Sequence, residues 1–510
     1  MAQKELFQNS VTRNSLNALV DRAADLIRTA VDYKFILVLL FLKRLNDIWR
    51  RERERAKTRL MEEGGFTEKE AEEEADKFGD FYSVNIPKKY LWDEITRDIK
   101  NLPEKLATSI SEIAKLNKEL QGVIDRISFL EFARNQENRE LLRQLVELFN
   151  KYDLGREEVS PDILGDAYEH IIMKFAPQKA KEGEIYTPRE VSCLMVEILA
   201  PKPGQKVYDP CCGSGGMLIS AYKYIEEKSS EDEARKLFLY GQERNPEIYA
   251  ICQMNLILHN IKNGNIASGD TLDYPRFSDN GKLKPFDIVI ANPPWNQDGY
   301  GEERLKKSDF RERFSFGYPP NDKADWAWIQ HMLASSDQKV AVVMDQGALF
   351  RGGIEKNVRA KIIEKDWIEC AILLAEKLFY NTGASGIIIV LNKEKPKARK
   401  GKILFINGLE EYEQHPEVRR LNILASKNIE SIAKAYRKFE TLAGFTKVAD
   451  FEQIKANDFN LNIPLYAPLA KNEEKIDIKK VYAELEKLKQ EREETEKKIR
   501  EDLTKIMKVI

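Results

Sequence analysis

The sequence predicts an α/β protein. It reads as a central sheet of parallel type, preceded by an all-helical domain and followed by a helical, coiled-coil-like tail. Three observations predict this. Apolar residues in the first third recur at helical spacing, the middle alternates short buried runs with helical stretches, and the end steps by threes and fours. These shifts divide the chain into a helical domain (1–160), a sheet domain (161–410), a mixed connecting region (411–470) and a C-terminal helix (471–510).

In the first region Ala18, Leu19, Ala23, Leu26 and Ile27 mark one helix face. Leu106, Ile110, Ile113, Leu116 and Leu120 form a second stripe, within a helical stretch read over 106–130. The run 35–42 is too short to span a bilayer and reads as a buried helix. Arg50, Arg51, Glu52, Arg53, Glu54 and Arg55 mix signs on one helix. That pattern suits a solvated face or a phosphate contact.

In the second region, strands are expected at 206–209, 238–243, 287–292, 340–344 and 386–391, with helices at 247–260 and 324–335. Strand-helix alternation implies parallel strands with helices on both faces. In the tail, Ile478, Val481, Leu485 and Leu488 lead through a polar break at Arg492 and Thr495 to Ile499, Leu503, Ile506 and Ile510. Such a heptad seam needs an apolar mate.

Composition excludes several classes. The formal net charge is −2, so any nucleic-acid site is a local patch or is shared with a partner. The five cysteines form no CxxC pair and the four histidines lack ligand spacing, so neither zinc nor any other metal is expected. No signal-peptide or membrane-spanning pattern is present, which points to the cytoplasm.

Two motifs carry chemistry. Val207-Tyr208-Asp209-Pro210-Cys211-Cys212-Gly213-Ser214-Gly215-Gly216 joins a strand to a helix. Glycines at such a turn let backbone approach a ligand, and the helix N-terminus favours an anion. The loop lacks the last glycine of G-x-G-x-x-G. Asp209 suits a ligand carrying an amine, such as the methionine end of S-adenosylmethionine. Glu243 ends the next strand, where a carboxylate can accept from both ribose hydroxyls, and Asp270 could accept from an adenine amino group.

The second motif is Asn292-Pro293-Pro294-Trp295, directly after a buried strand. Two prolines stiffen the turn and remove two N–H donors. An exocyclic amino group on a base is a poor nucleophile, because its lone pair is delocalised. Acceptance of its N–H bonds by the Asn292 side chain and the Pro293 carbonyl would free that lone pair for in-line attack on a methyl group. Trp295 offers a face on which an extruded base can stack.

At these residues the sequence resembles the modification (M) subunit of type I restriction-modification systems, a family of DNA adenine N6-methyltransferases. The resemblance runs through Asp162-Ile163-Leu164-Gly165-Asp166-Ala167-Tyr168-Glu169, through Gly183 to Arg189, through both motifs above, and on to Asn381-Thr382-Gly383. It implies a Rossmann-like methyltransferase fold with S-adenosylmethionine as cofactor. It also implies cofactor contacts from Glu184, Ile185, Tyr186, Thr187, Pro188 and Arg189, with Tyr186 to Pro188 at the methionine end. Gly213, Ser214 and Gly215 become the backbone cradle, with Asp209, Glu243 and Asp270 around it. The target-base pocket falls to Asn292, Pro293, Pro294 and Trp295. One departure is visible: Asp345-Gln346-Gly347-Ala348-Leu349 stands where a proline-containing loop is expected. The family delegates sequence reading to a specificity (S) subunit with two M subunits per S. The implied partners are therefore double-stranded DNA with a flipped adenine, that S subunit and a second M subunit; a restriction subunit can join.

Two basic clusters remain. Arg304, Lys306, Lys307, Arg311 and Arg313, interleaved with Phe310, Phe314, Phe316 and Tyr318, suggest DNA contact beside the chemistry. Lys393, Lys395, Lys397, Arg399, Lys400 and Lys402 fit a solvated loop equally well. The competing functions are a stand-alone DNA amino-methyltransferase, a protein glutamine N5-methyltransferase, a dehydrogenase and a non-catalytic scaffold. A dehydrogenase gives no reason for Asn-Pro-Pro-Trp, and glutamine N5-methyltransferases usually end that motif in Tyr.

Overall fold

The computed structural model describes residues 12–27, 32–77, 82–155, 158–181, 186–380, 382–416 and 418–469, plus isolated positions between 485 and 495. The first region is helical: α1 (Arg13–Ile27), α2 (Lys34–Glu62), α3 (Leu102–Leu116) and α4 (Gln136–Phe149), with short turns between. Residues 35–42 lie inside α2, and seven of those eight side chains are buried. The expected stripe breaks at the end of α3. Leu116 is 41% exposed there, and Leu120 is buried from a separate 3-10 turn. The mixed-sign run on α2 reaches back across its own domain. Arg50 and Arg51 bind Asp153 at 2.6 and 2.9 Å, and Arg53 binds Asp76 at 2.6 Å.

Then follow α5 (Pro161–Lys181), α6 (Arg189–Leu199), β1 (Lys206–Asp209), α7 (Gly216–Lys228), β2 (Phe238–Glu243), α8 (Pro246–Leu258), β3 (Gly264–Ser268) and β4 (Phe286–Ala291). The second half adds α9 (Asp325–Ala334), β5 (Ser336–Asp345), β6 (Ile368–Leu373), β7 (Gly386–Asn392), β8 (Lys402–Asn407) and β9 (Thr446–Asp450). The strands form one sheet in the order β9-β8-β6-β7-β5-β4-β1-β2-β3. All five expected strands and both expected helices are present, with ends shifted by a few residues.

The sheet is mostly parallel, with two antiparallel intrusions. β7 runs against both β5 and β6, and β9 runs against β8. The link from β6 to β7 carries no helix, so the chain turns back rather than crossing over. β9 lies at the sheet edge, in sequence whose mixed pattern gave no strand signal. β7 is buried along its whole length, as a central strand covered on both faces requires.

Two apolar cores cover the two faces of the sheet, and a third fills the helical region. The helical core includes Ile251, Met254 and Leu258 of α8. α8 therefore packs on the sheet and on the first domain at once. Lys34 at the head of α2 seals this joint through Glu247 at 2.6 Å. No described helix is long and apolar enough to cross a membrane, and no metal-holding cluster occurs among the described residues. Most of 471–510 lies outside the described residues, including Ile478, Val481, Ile499, Leu503, Ile506 and Ile510 of the heptad seam; Leu485 and Leu488 are described and exposed.

Candidate active site

Four parallel strands, β4-β1-β2-β3, bring their C-terminal ends together. Ligands bind at such ends in open α/β sheets. Here they border a cavity of about 210 Å³ that opens into a smaller one of about 60 Å³. The two share Ile172, Tyr186, Cys211, Gly213, Ser214 and Asn292.

The loop after β1 is shaped by its glycines. Gly213 and Gly215 have φ of +54° and +86°, in the left-handed region. A Cβ on Gly215 would stand 2.9 Å from the Cys252 sulfur, while one on Gly213 would meet nothing within 4 Å. Gly213 thus keeps the cavity floor open, and Gly215 starts α7 without lining the space. Glu243, at the end of β2, holds this loop: its carboxylate accepts from Gly213 N at 3.0 Å and from Asn245 N at 2.7 Å.

Asp209 ends β1, 2% exposed, on the wall of the smaller cavity. It accepts from Cys211 N at 3.0 Å. Burial pushes its pKa up to about 7, and the neighbouring Glu243 charge adds to that. Asp270 lines the larger cavity two residues beyond β3. Its Oδ2 accepts from Tyr300 Oη at 2.6 Å and Arg304 Nη2 at 3.3 Å, and its Oδ1 accepts from Leu272 N at 3.1 Å. A carboxylate offers about four lone-pair sites, so one remains on Oδ1.

The turn after β4 is held by side chains. Asn292 is 8% exposed and lines both cavities. Its Oδ1 accepts from Trp295 Nε1 at 2.9 Å, and its Nδ2 donates to Thr187 Oγ1 at 2.9 Å. An indole N–H can only donate, so this contact fixes which way the amide points. One Oδ1 lone pair remains. Pro294 lines the larger cavity and Pro293 is buried beside it. Trp295 lines neither cavity. It stands behind Asn292, edge-on to Phe379 with ring centres 4.9 Å apart. The indole N–H thereby orients Asn292.

Tyr186 lines both cavities, and Thr187 and Arg189 line the smaller one. Pro188 stands at the N-cap of α6 and lines neither. Glu184, Ile185 and Asn381 lie outside the described residues.

Several site residues escaped sequence reasoning. Tyr33, Tyr300 and Trp328 give the larger cavity aromatic walls, and Gln297 ties Trp328 in place at 3.0 Å. Trp328 looked like one more apolar helix residue. Tyr33 comes from the helical domain, and only tertiary packing brings it there. The loop 345–349 forms a 3-10 turn, with Asp345 accepting from Gly347 N at 3.0 Å.

The basic clusters are partly consumed by the fold, while Lys397, Lys400 and Lys402 stay exposed. Arg304 grips Asp273 at 3.1 Å and stacks on Tyr300. Arg313 is buried on the Leu272 carbonyl, and burial pulls its pKa down to about 10. Lys306 pairs with Glu302 at 2.7 Å, while Lys307 and Arg311 stay exposed. In the other cluster Lys393 caps two backbone carbonyls, Lys395 is buried on Asp366, and Arg399 faces Glu369 at 3.4 Å.

Residues 159–475 match the family model "N-6 DNA Methylase", and residues 16–149 match the "HsdM N-terminal domain". Two relatives from Methanocaldococcus jannaschii are named as type I restriction enzyme methylase subunits, MjaVIII and MjaVII. They are 42% and 43% identical, over 94% and 97% of this chain and 82% and 84% of their own. The crystal structure of a type I restriction-modification methyltransferase subunit from Streptococcus thermophilus superposes with a TM-score of 0.75 at 27% identity. That match covers 89% of this chain and all of the other.

Proposed function

The chain belongs to the N-6 DNA methylase family of type I restriction enzyme methylase subunits, and on that premise we propose how its site works. It is a DNA adenine N6-methyltransferase subunit. Its methyl donor is S-adenosylmethionine, which supplies an electrophilic methyl group on a sulfonium. The cavity fits such a donor: carboxylates at two strand ends, a floor without a side chain at Gly213, and aromatic walls. Glu243 takes the ribose hydroxyls, Asp270 the adenine amino group, and Gly213 and Ser214 the backbone of the cradle. Tyr186, Thr187 and Arg189 border the amino-acid end.

Asn292 carries the chemistry. Its remaining Oδ1 lone pair and the Pro293 carbonyl accept the two N–H bonds of an extruded adenine. The nitrogen lone pair is then released from the ring, and the proton leaves after transfer. Trp295 and Thr187 keep the amide from rotating, so no orientation has to be found in the transition state. The observation that carries this reading is that Asn292, with its amide locked, lines the same cavity as Gly213 and Glu243.

The working partners are double-stranded DNA, a specificity subunit and a second copy of this chain, with a restriction subunit able to join. The tail 471–510 is the docking element for the specificity subunit. Binding of labelled S-adenosylmethionine to the chain, then label transfer to DNA by the reconstituted complex, tests the whole reading. Removal of residues from 474 onward should leave donor binding intact and abolish both co-purification with the specificity subunit and site-specific methylation. A truncated chain that still assembles would reassign the docking element.

A further inference from the structure

The smaller cavity holds more charge than the donor cradle needs. Glu169 lines it from α5, one helical turn before Ile172, which lines both cavities. Residues three apart share a helix face, so α5 turns this whole face toward the site. Across the same space lie Arg189 and the first turn of α7, with Gly216, Met217 and Ser220.

The charges here are unevenly matched. Asp166 engages both nearby cations, Arg189 at 3.1 Å and Lys223 at 2.9 Å. Glu169 has the Asn255 amide beside it and feels the charges of Arg189 and Lys223, yet among the described residues no cation comes within 4 Å of its carboxylate. Burial pushes its pKa up. A half-buried carboxylate facing that space is met best by a cation brought from outside. On the other side, Arg189 keeps donors beyond the one used on Asp166, and a helix N-terminus favours a carboxylate. An acid, a guanidinium and a helix N-terminus lining one small cavity complement an α-amino acid zwitterion.

We propose that Glu169 receives the α-ammonium group of the donor's amino-acid end, while Arg189 and the start of α7 receive its carboxylate. This rests on the S-adenosylmethionine reading above. The donor would then be read from two sides. The sheet loops hold its nucleoside, and the helix leading into the sheet tests for a free amino acid. Asp209 accepts the Cys211 N–H and lines the same cavity, next to this end of the donor.

The test compares two ligands on the full chain by calorimetry. S-adenosylmethionine carries the amino-acid end; 5′-methylthioadenosine shares its nucleoside and lacks that end. Glu169→Gln keeps shape and removes charge. It should weaken S-adenosylmethionine about tenfold or more and leave 5′-methylthioadenosine unchanged, which also shows that the variant is folded. Equal affinity of variant and wild type for S-adenosylmethionine overturns the assignment. Equal weakening of both ligands also overturns it, because Glu169 would then be supporting the fold. If wild type binds 5′-methylthioadenosine but gains nothing from the amino-acid end, the zwitterion subsite is wrong while the nucleoside site stands. If wild type binds neither ligand, the donor reading itself fails and this inference falls with it.

Discussion

The donor cavity and the catalytic turn stand on adjoining strand ends, but they are held in different ways. The cavity floor is backbone at Gly213, in a loop shaped by two glycines with positive φ and held by a single carboxylate, Glu243, accepting from the backbone N–H groups of Gly213 and Asn245. The turn is fixed by side chains from distant segments. Thr187 holds Asn292, Asp325 accepts from Asn296 N at 2.9 Å, and Arg351 donates to Asn296 Oδ1 at 3.0 Å. The difference teaches where each half is vulnerable. The cavity depends on local backbone shape; the turn depends on a long-range network that can be cut remotely.

The largest effect should come from cutting that network at its hub. Arg351 pairs with Asp325, with Glu355 at 2.6 Å and with Asp345 at 2.7 Å, and both Asp325 and Glu355 are buried. Arg351→Ala leaves two buried carboxylates uncompensated, at a cost of about 3–5 kcal/mol for such a broken pair. Denaturant unfolding should show that loss, and methyl transfer should fall while donor affinity holds. Full stability in this variant would mean that the turn stands without its hub.

Next is the chemistry. Asn292→Ala removes one of two acceptors for the amino protons. By analogy with loss of one oxyanion-hole donor, turnover should drop by about 10²–10³-fold. Donor affinity should be nearly unchanged in the same protein. Near-normal turnover would remove Asn292 from the mechanism.

On the cavity side the expected effect is smaller. Glu243→Ala loses hydrogen bonds to a charged group, worth roughly 1.5–3 kcal/mol. S-adenosylmethionine affinity should fall by about tenfold or more. Because Glu243 also holds Gly213 N, part of that loss comes from a slackened loop. Calorimetry giving unchanged affinity would place the ribose elsewhere.

What could be seen in the sequence follows the same division. The cavity motifs were legible because each strand leads into its own cavity-lining residue: Asp209 and Glu243 end β1 and β2, and Asp270 follows β3. The hold of the Trp295 indole on Asn292 was not, because a tryptophan after two prolines gives no sign of which group its N–H meets. The intramolecular partners of the basic clusters were hidden for a related reason. Charge in sequence does not show its partner, and Arg304 and Arg313 find theirs on the Asp273 side chain and the Leu272 carbonyl. β9 escaped because an edge strand of five residues in a mixed region carries little periodic signal. Glu169 was quoted only as part of a motif; α5 packing gives it a place at the cavity.

The last expected effect concerns Asp209 and is read only as a change with pH, and its sign can be worked out. Its folded pKa of about 7 stands above the ordinary carboxylate value of 3.8, chiefly because of burial. The folded state therefore holds the proton more tightly than the unfolded chain. The stability this lends is complete below about pH 4. It is lost as pH rises through the window from 3.8 to about 7, and little changes above that. The slope from one such group is at most about 1.4 kcal/mol per pH unit. Asp209→Asn cannot ionise, so the difference in melting temperature between variant and wild type should shift in the variant's favour between pH 5 and 7. It should then stay level from pH 7 to 8.5. A difference that does not change between pH 5 and 7 would mean that Asp209 is ionised throughout, and that a cation meets it in the folded chain.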